Sequence, residues 1–370
     1  MLYNPPAAAG LEENPRVKLN NIFTSHSCPI LKNTTPLQPF YNHVCQYSNS
    51  RRGLPLLVTP ETCAGRTYVV TGANSGLGLE AARHLVNAGA RKVILAVRNL
   101  TAGEKAKDDI ETCTGKTGVA EVWLLDLASY DSVKAFAQRV TTELDRIDAV
   151  IENAGVALSQ RLEAEGHILP VTVNVLSTLL LGVLIFPKLR DSAQRYGTMP
   201  HLVFVTSVTG FDCHEAWRDI HDEPLAKMHS EDMNMMQLYP LTKLMLTIAV
   251  RHLATLTPVD RTGVVMNLVC PGLCKTDIGR NAPAEVQESV ANFVAQCGRT
   301  AEDGSRTLLH GAVAGRESHG RFLQSCESGE NIVPHWVKNE EGRKWQRYSW
   351  EDIAKELEFV CPGCIQEIIN

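Results

Sequence analysis

Continuous apolar runs of strand length alternate along the chain with longer stretches of helical length. YVV (68–70), KVILAV (92–97), AEVWLL (120–125), IDAVI (147–151), HLVFVT (201–206) and VVMNLV (264–269) lack the strict apolar-polar alternation of a half-exposed strand. They predict strands covered on both faces. Helices are expected at 78–87, 102–112, 129–144 with Ser129 as N-cap, around Asn174, and at 239–256. This order predicts βαβ units with right-handed crossovers: an α/β fold of three layers, a doubly wound parallel sheet of about seven strands with helices on both faces. There is no internal repeat. The longest apolar stretch, VLSTLLLGVLIF (175–186), runs into Pro187 and Lys188 and is too short to span a bilayer. It predicts a buried core helix and no membrane span.

Residues 1–60 break the pattern. They are rich in Asn, Pro, Ser and Thr and hold no acid between Glu13 and Glu61. A flexible N-terminal extension is expected, followed by a single domain over 61–360 that includes a C-terminal helix, and a tail at 361–370. An acid-poor leader also suits a mitochondrial presequence, but arginine is sparse and no amphipathic helix is evident, so the cytoplasm is the expected compartment. The charged fraction of 21% and net charge of −5 give no reason to expect nucleic acid as a partner. The eleven cysteines are odd in number and scattered through a long chain, which fits reduced thiols. Cys361-Pro-Gly-Cys364 has the spacing of half a zinc site without a second half, and no metal is expected.

Candidate chemistry begins where the first strand ends. Thr71-Gly-Ala-Asn-Ser-Gly-Leu-Gly78 joins that strand to a helix. Gly72, Gly76 and Gly78 permit a tight turn and close approach of backbone N–H groups to a pyrophosphate, with the helix N-terminus adding its dipole. The second strand ends in Arg98 where an NAD-selective site usually places an acid. A cation there suits a ribose 2′-phosphate, so the expected cofactor is NADP(H).

Tyr239-Pro-Leu-Thr-Lys243 places a phenol and an ammonium on one helix face, and an ammonium beside a phenol favours phenolate. A second such motif, Tyr130-Asp-Ser-Val-Lys134, starts the helix after the third strand with no serine-bearing strand before it, and is read as structural. Ser207, in VFVTSVTG, follows the carboxyl end of the fifth strand, where open α/β sheets place ligands. Its hydroxyl suits polarising a carbonyl oxygen. Asn153-Ala-Gly155 ends the fourth strand, Asn174 lies in an apolar helix where a buried amide must find partners, and the Thr276 hydroxyl of CPGLCKT (270–276) suits a nicotinamide carboxamide.

TGANSGLG, NAG, Asn174, Thr206-Ser207 with Gly210, YPLTK and PGLCKT occur in this order from Gly65 to about Arg280. Together they resemble the short-chain dehydrogenase/reductase superfamily and its Rossmann fold. GLGLEAARH, EVWLLDLASYDSVKAF and IDAVIENAG are similar to a fungal branch of secondary-metabolite enzymes. The resemblance implies catalysis by Ser207, Tyr239, Lys243 and Asn174. It implies cofactor contacts at Leu77, Arg98, Asp126, Asn153, Tyr239, Lys243, Cys274 and Thr276, beside the glycine turn. The expected reaction is interconversion of a carbonyl and an alcohol on a small, apolar or polyketide-like molecule, by a homodimer or homotetramer. A non-redox isomerase or dehydratase, or a dinucleotide-binding regulator, is the alternative on the same fold. The sequence departs from the family at Glu152, where Asn is usual, and at Thr206, where Ser is usual. Asp212 to Leu238, rich in His and Met (His214, His221, Met228, His229, Met233, Met235, Met236), is expected to cover the substrate.

Overall fold

A computed structural model describes residues 53–369. The strands are β1 (Thr67–Thr71), β2 (Lys92–Val97), β3 (Ala120–Leu124), β4 (Ala149–Glu152), β5 (Glu163–Ala164), β6 (His167–Ile168), β7 (His201–Val205), β8 (Val265–Cys270), β9 (Phe322–Gln324) and β10 (Glu327–Ser328). β5 and β6 form a small antiparallel hairpin, and the others form one sheet in the order β10-β9-β8-β7-β4-β1-β2-β3. Every pairing in that sheet is parallel except β9 with β10. The eight strands exceed the expected seven by the two-residue β10, which returns through a turn with Ser325 and Cys326 at positive φ and is too short to leave an apolar run.

Strand order reverses at β1: the chain first moves outward to β2 and β3, then returns to place β4 on the other side. In open α/β sheets this switch point, at the carboxyl ends of the strands, is where ligands bind. Alternate residues of each strand feed two cores. On one face, Val150, Leu202 and Phe204 pack with the helices Tyr130–Glu143, Thr178–Tyr196 and Met235–Leu256. On the other, Ile151 and Val203 pack with Gly76–Asn87 and Ala301–Gly311. These are the three expected layers.

The apolar segment 175–186 is a core helix, as its composition predicts. Leu169–Tyr196 is long and apolar enough to cross a membrane, yet 89% of its most apolar window is buried. It is not a uniform α-helix, because Thr172–Ser177 winds as a π-helix, with Asn174 inside it.

Two boundaries differ from expectation. Residues 53–60 do not belong to a loose extension: Leu54 and Val58 are 2% and 3% exposed, and Thr59 with Thr62 forms a capping box on the helix Pro60–Cys63. The remainder of the expected extension lies outside the described residues. At the other end the expected tail holds a helix, Cys364–Ile369, whose Cys364, Ile365 and Ile368 join the core. Cys297 is disulfide-bonded, against the expectation of reduced thiols throughout, whereas Cys361 and Cys364 are free.

Candidate active site

The turn after β1 is built for close approach. Gly72 and Gly76 hold φ of +67° and +57°, and a Cβ on Gly78 would lie 2.6 Å from both Asn153 Nδ2 and Gly72 O. Ser75 precedes the helix Gly76–Asn87 but makes no side-chain capping hydrogen bond, and no acid sits in its first turn. The first-turn N–H groups are therefore left for an anion. The cradle fits a dinucleotide pyrophosphate: side chains are excluded where the ligand backbone must pass, and donors remain where it needs them.

Asn153 ties this turn to β4. Its Nδ2 donates to Thr71 O (2.8 Å), while Thr71 Oγ1 accepts from the N–H groups of Asn153 and Ala154 (2.9 Å each). The loop after β8 closes the other side. A Cβ on Gly76 would touch Thr276 Cγ2 at 3.5 Å, and Cys274 Sγ and Leu77 meet over Gly304. Burial pushes the Cys274 thiol up to about 12, so it is neutral. Gly72, Gly76, Leu77, Gly78, Asn153, Cys274 and Thr276 thus form one cluster.

Arg98 and Asp126 follow β2 and β3, toward the sheet edge. Arg98 is exposed and pairs with no acid among the described residues. Asp126 Oδ1 accepts from Ala128 N–H at 3.0 Å, so its carboxylate shapes a local turn.

The second cluster rests on the helix Met235–Leu256, which starts four residues before the expected position and carries Pro240 inside it. Thr206 Oγ1 donates to Lys243 O (3.0 Å) and meets Thr247 Oγ1, and the backbone at Gly210 abuts that of Leu244, where a Cβ would meet Leu244 N at 2.9 Å. The departure at Thr206 therefore fastens β7 to the helix. Ser207, half-buried, caps the short 3-10 helix Val208–Asp212 and shares a hydrogen bond with Thr209 Oγ1 (2.9 Å).

Lys243 is 3% exposed, donates from Nζ to Val205 O (2.8 Å), and lies 5.9 Å from the centre of the Tyr239 ring. Burial lowers its pKa to about 8. Burial also raises the Tyr239 phenol above its ordinary value, with the Cys270 sulfur adding to the rise. This runs against the expectation of a phenolate favoured by the adjacent ammonium: with Nζ 5.9 Å from the ring centre, desolvation outweighs its attraction and raises the phenol's pKa.

Asn174 holds its amide in place with Val156 N–H on Oδ1 (2.8 Å), and Nδ2 donating to Val156 O (2.9 Å) and Thr242 Oγ1 (3.1 Å). Its partners are thus local backbone and a neighbouring hydroxyl. A Cβ on Gly155 would lie 3.2 Å from Asn174 Oδ1 and 3.5 Å from Lys243 Nζ, so these two polar groups converge on the loop that also carries Asn153. Two of the four catalytic candidates, Asn174 and Lys243, thus meet at Gly155.

The decoy motif is elsewhere. Tyr130 is buried in the core, its backbone N–H donating to Glu165 Oε1, and Lys134 pairs with Asp131 at 2.8 Å. In the covering segment Met228 is fully buried, His214 stacks on Trp336 (centroids 4.6 Å apart) and His221 packs on Trp345, all as packing groups; Met236 remains exposed. Three features left no signal in the sequence: Thr242 as the support of Asn174, the π-helical turn, and the Cys270 thiol beside Lys243. A fourth was visible only as a departure from pattern. Glu152 is 2% exposed with no hydrogen-bond partner on either oxygen, and burial holds its pKa well above the carboxylate range.

The family description short chain dehydrogenase matches residues 66–218. The chain is 40% identical to a short chain dehydrogenase/reductase of Cryptosporiopsis sp. over 81% of its own length and 93% of that protein. It is 37% identical to a short-chain dehydrogenase/reductase of Phaeosphaeria nodorum, over 80% of this chain and 87% of the other. Among solved structures it is similar to salutaridine reductase from Papaver somniferum (TM-score 0.54, 20% identity, 70% of this chain and 99% of that one). It is also similar to a Shigella flexneri protein described as a short chain dehydrogenase and complexed with NADP (TM-score 0.52, 22% identity, 71% and 98%). At these identities the solved structures speak to the fold.

Proposed function

Because the chain belongs to the short-chain dehydrogenase/reductase family of oxidoreductases, we propose that it is an NADP(H)-dependent enzyme interconverting a carbonyl and an alcohol on a small apolar secondary metabolite. The observation that carries this reading is the convergence at Gly155, where Asn174 Oδ1 and Lys243 Nζ face the loop that braces the glycine turn.

A nicotinamide dinucleotide, when bound, would supply or accept the hydride. Backbone N–H groups at Gly72, Gly76, Leu77 and Gly78 hold its pyrophosphate, and Arg98, free of any acid among the described residues, holds a 2′-phosphate. Asp126 and Asn153 would hold the adenine and ribose, and Cys274 and Thr276 the nicotinamide amide. Ser207 donates a hydrogen bond to the substrate oxygen, trading its contact with Thr209 for one to the carbonyl. The neutral Tyr239 phenol is the form needed to give that oxygen a proton during reduction. Lys243 stabilises the phenolate left behind, and Asn174 holds the loop on which Lys243 and the cofactor site meet. Leu162, Met236 and Ile278, on the segments that follow β4, β7 and β8, are exposed apolar side chains available to an apolar substrate. The Met-bearing segment adapts to its bulk.

Tyr239→Phe keeps the ring and removes the proton donor. NADPH consumption with a panel of apolar ketones should fall by roughly two or more orders of magnitude while NADPH binding stays close to wild type. Tyr130→Phe should be nearly silent. The reverse pattern, with Tyr130→Phe inactive and Tyr239→Phe active, would place the site elsewhere and defeat this reading.

A further inference from the structure

The helix Ala301–Gly311 stands against both parts of the cofactor cradle, since a side chain on Gly304 would collide with Cys274 Sγ and Leu77. Just before it lies Arg299, only 2% exposed. Its backbone is stitched to the loop after β8 on both sides: its N–H donates to Leu273 O (2.8 Å) and its carbonyl accepts from Lys275 N–H (2.9 Å). Its guanidinium donates to Pro271 O (2.9 Å) and to Ser325 Oγ (2.8 Å), with Asp303 Oδ2 at 3.9 Å from Nε. Asp303 faces the other way as well, accepting the backbone N–H of buried Leu54 on Oδ1 at 2.7 Å. Arg306 donates to Leu54 O, and the Cys326 thiol to Pro55 O (3.6 Å).

A guanidinium is buried at considerable cost unless its donors are matched. Here one guanidinium contact, to Pro271 O, and both backbone hydrogen bonds, to Leu273 and Lys275, fall on one short loop, Pro271 to Lys275, which carries Cys274 and leads to Thr276. Lys275 in this loop, and Asp277 and Ile278 just after it, are exposed. The other end of the network is the segment at residues 54 and 55, ahead of the first strand.

We propose that Arg299 and Asp303 are positioning residues, a buried pair that couples the segment around Leu54 to the loop 271–276 and so sets that loop for the nicotinamide. The last clause rests on the cofactor reading above; the coupling itself does not. Neither residue touches the reacting atoms. Arg299 holds the loop by its carbonyls, and Asp303 orients Arg299 while anchoring the incoming chain.

Hydrogen exchange on the ligand-free, full-length protein tests the coupling without cofactor. Leu54→Pro removes the single N–H that Asp303 accepts, and Arg299→Lys keeps the charge but loses the two-armed contact with Pro271 and Ser325. Each should speed exchange in residues 271–278 by on the order of tenfold, with protection of the central strands unchanged. Fluorescence titration of the same proteins should show NADPH affinity falling by a similar factor. If Leu54→Pro leaves exchange at 271–278 as in wild type, the coupling is refuted whether or not Arg299→Lys folds. Faster exchange in a chain whose wild type binds neither NADPH nor NADH would uphold the coupling and refute the cofactor reading.

Discussion

Replacing Glu152 with glutamine should flatten the alkaline fall in stability of this protein. The side chain is 2% exposed at the end of β4, and neither carboxyl oxygen has a hydrogen-bond partner. Thr71 Oγ1 accepts the backbone N–H groups of Asn153 and Ala154, and the lowering influence of its hydroxyl on the carboxyl is outweighed by burial. Burial therefore holds the folded-state pKa well above the ordinary value of 4.5. The unfolded chain ionises near that ordinary value while the folded chain keeps the proton. The contribution of Glu152 to stability is thus fully present below the unfolded pKa and is lost as pH rises towards the folded one. Within that window each pH unit should cost wild type up to about 1.4 kcal/mol relative to a side chain with no proton to lose. Glutamine brings unmatched amide groups of its own, an offset of roughly 1–3 kcal/mol that does not depend on pH. The slope, and not the offset, carries the information. Guanidinium denaturation of both proteins from about pH 5 to about pH 8 measures it, and the stability of Glu152→Gln relative to wild type should rise across that range. A difference that stays level would refute the claim that Glu152 is neutral in the fold.

Lys243, lowered by burial to about 8, loses its ammonium as pH rises through that value. NADPH affinity should weaken in step, while Lys243→Met should bind weakly at every pH; a flat wild-type profile contradicts this. Arg98→Asp should weaken NADPH by on the order of tenfold or more and spare NADH, as read by parallel titrations, and an unchanged preference removes Arg98 from the 2′-phosphate site. Light scattering should show the dimer or tetramer that the family resemblance implies, and a monomer would rule that expectation out.

Much of this architecture could be read from the chain because its signals are local. Buried parallel strands must be apolar throughout, so β2, β7 and β8 announce themselves as KVILAV, HLVFV and VMNLVC. The glycine turn was legible because positive φ, as at Gly72, favours glycine and the crowding at Gly78 leaves no room for a Cβ. What stayed hidden depends on partners distant in sequence. Leu54 looks like part of a polar leader until Asp303 is brought to it across 249 positions. The rise in the Tyr239 pKa was hidden for a similar reason: the spacing places Lys243 on its helix face, but the burial and the Cys270 sulfur that raise the phenol come from other parts of the fold. Thr242 looks like filler between two reactive residues, and its support of Asn174 emerges only when two helices meet.

The π-helical turn at Thr172–Ser177 acts as a phase shifter. Downstream, Gly182 faces Phe204 of the sheet; upstream, Asn174 reaches Val156 and Thr242. A uniform α-helix would put these two sets of contacts out of step, since one residue corresponds to about 100° of rotation. Deleting a single residue here would let the turn close as an α-helix, keep the downstream face seated on the sheet and swing Asn174 away from its partners. A lineage could thus silence the chemistry while keeping the scaffold, through one codon lost far from Tyr239 in sequence.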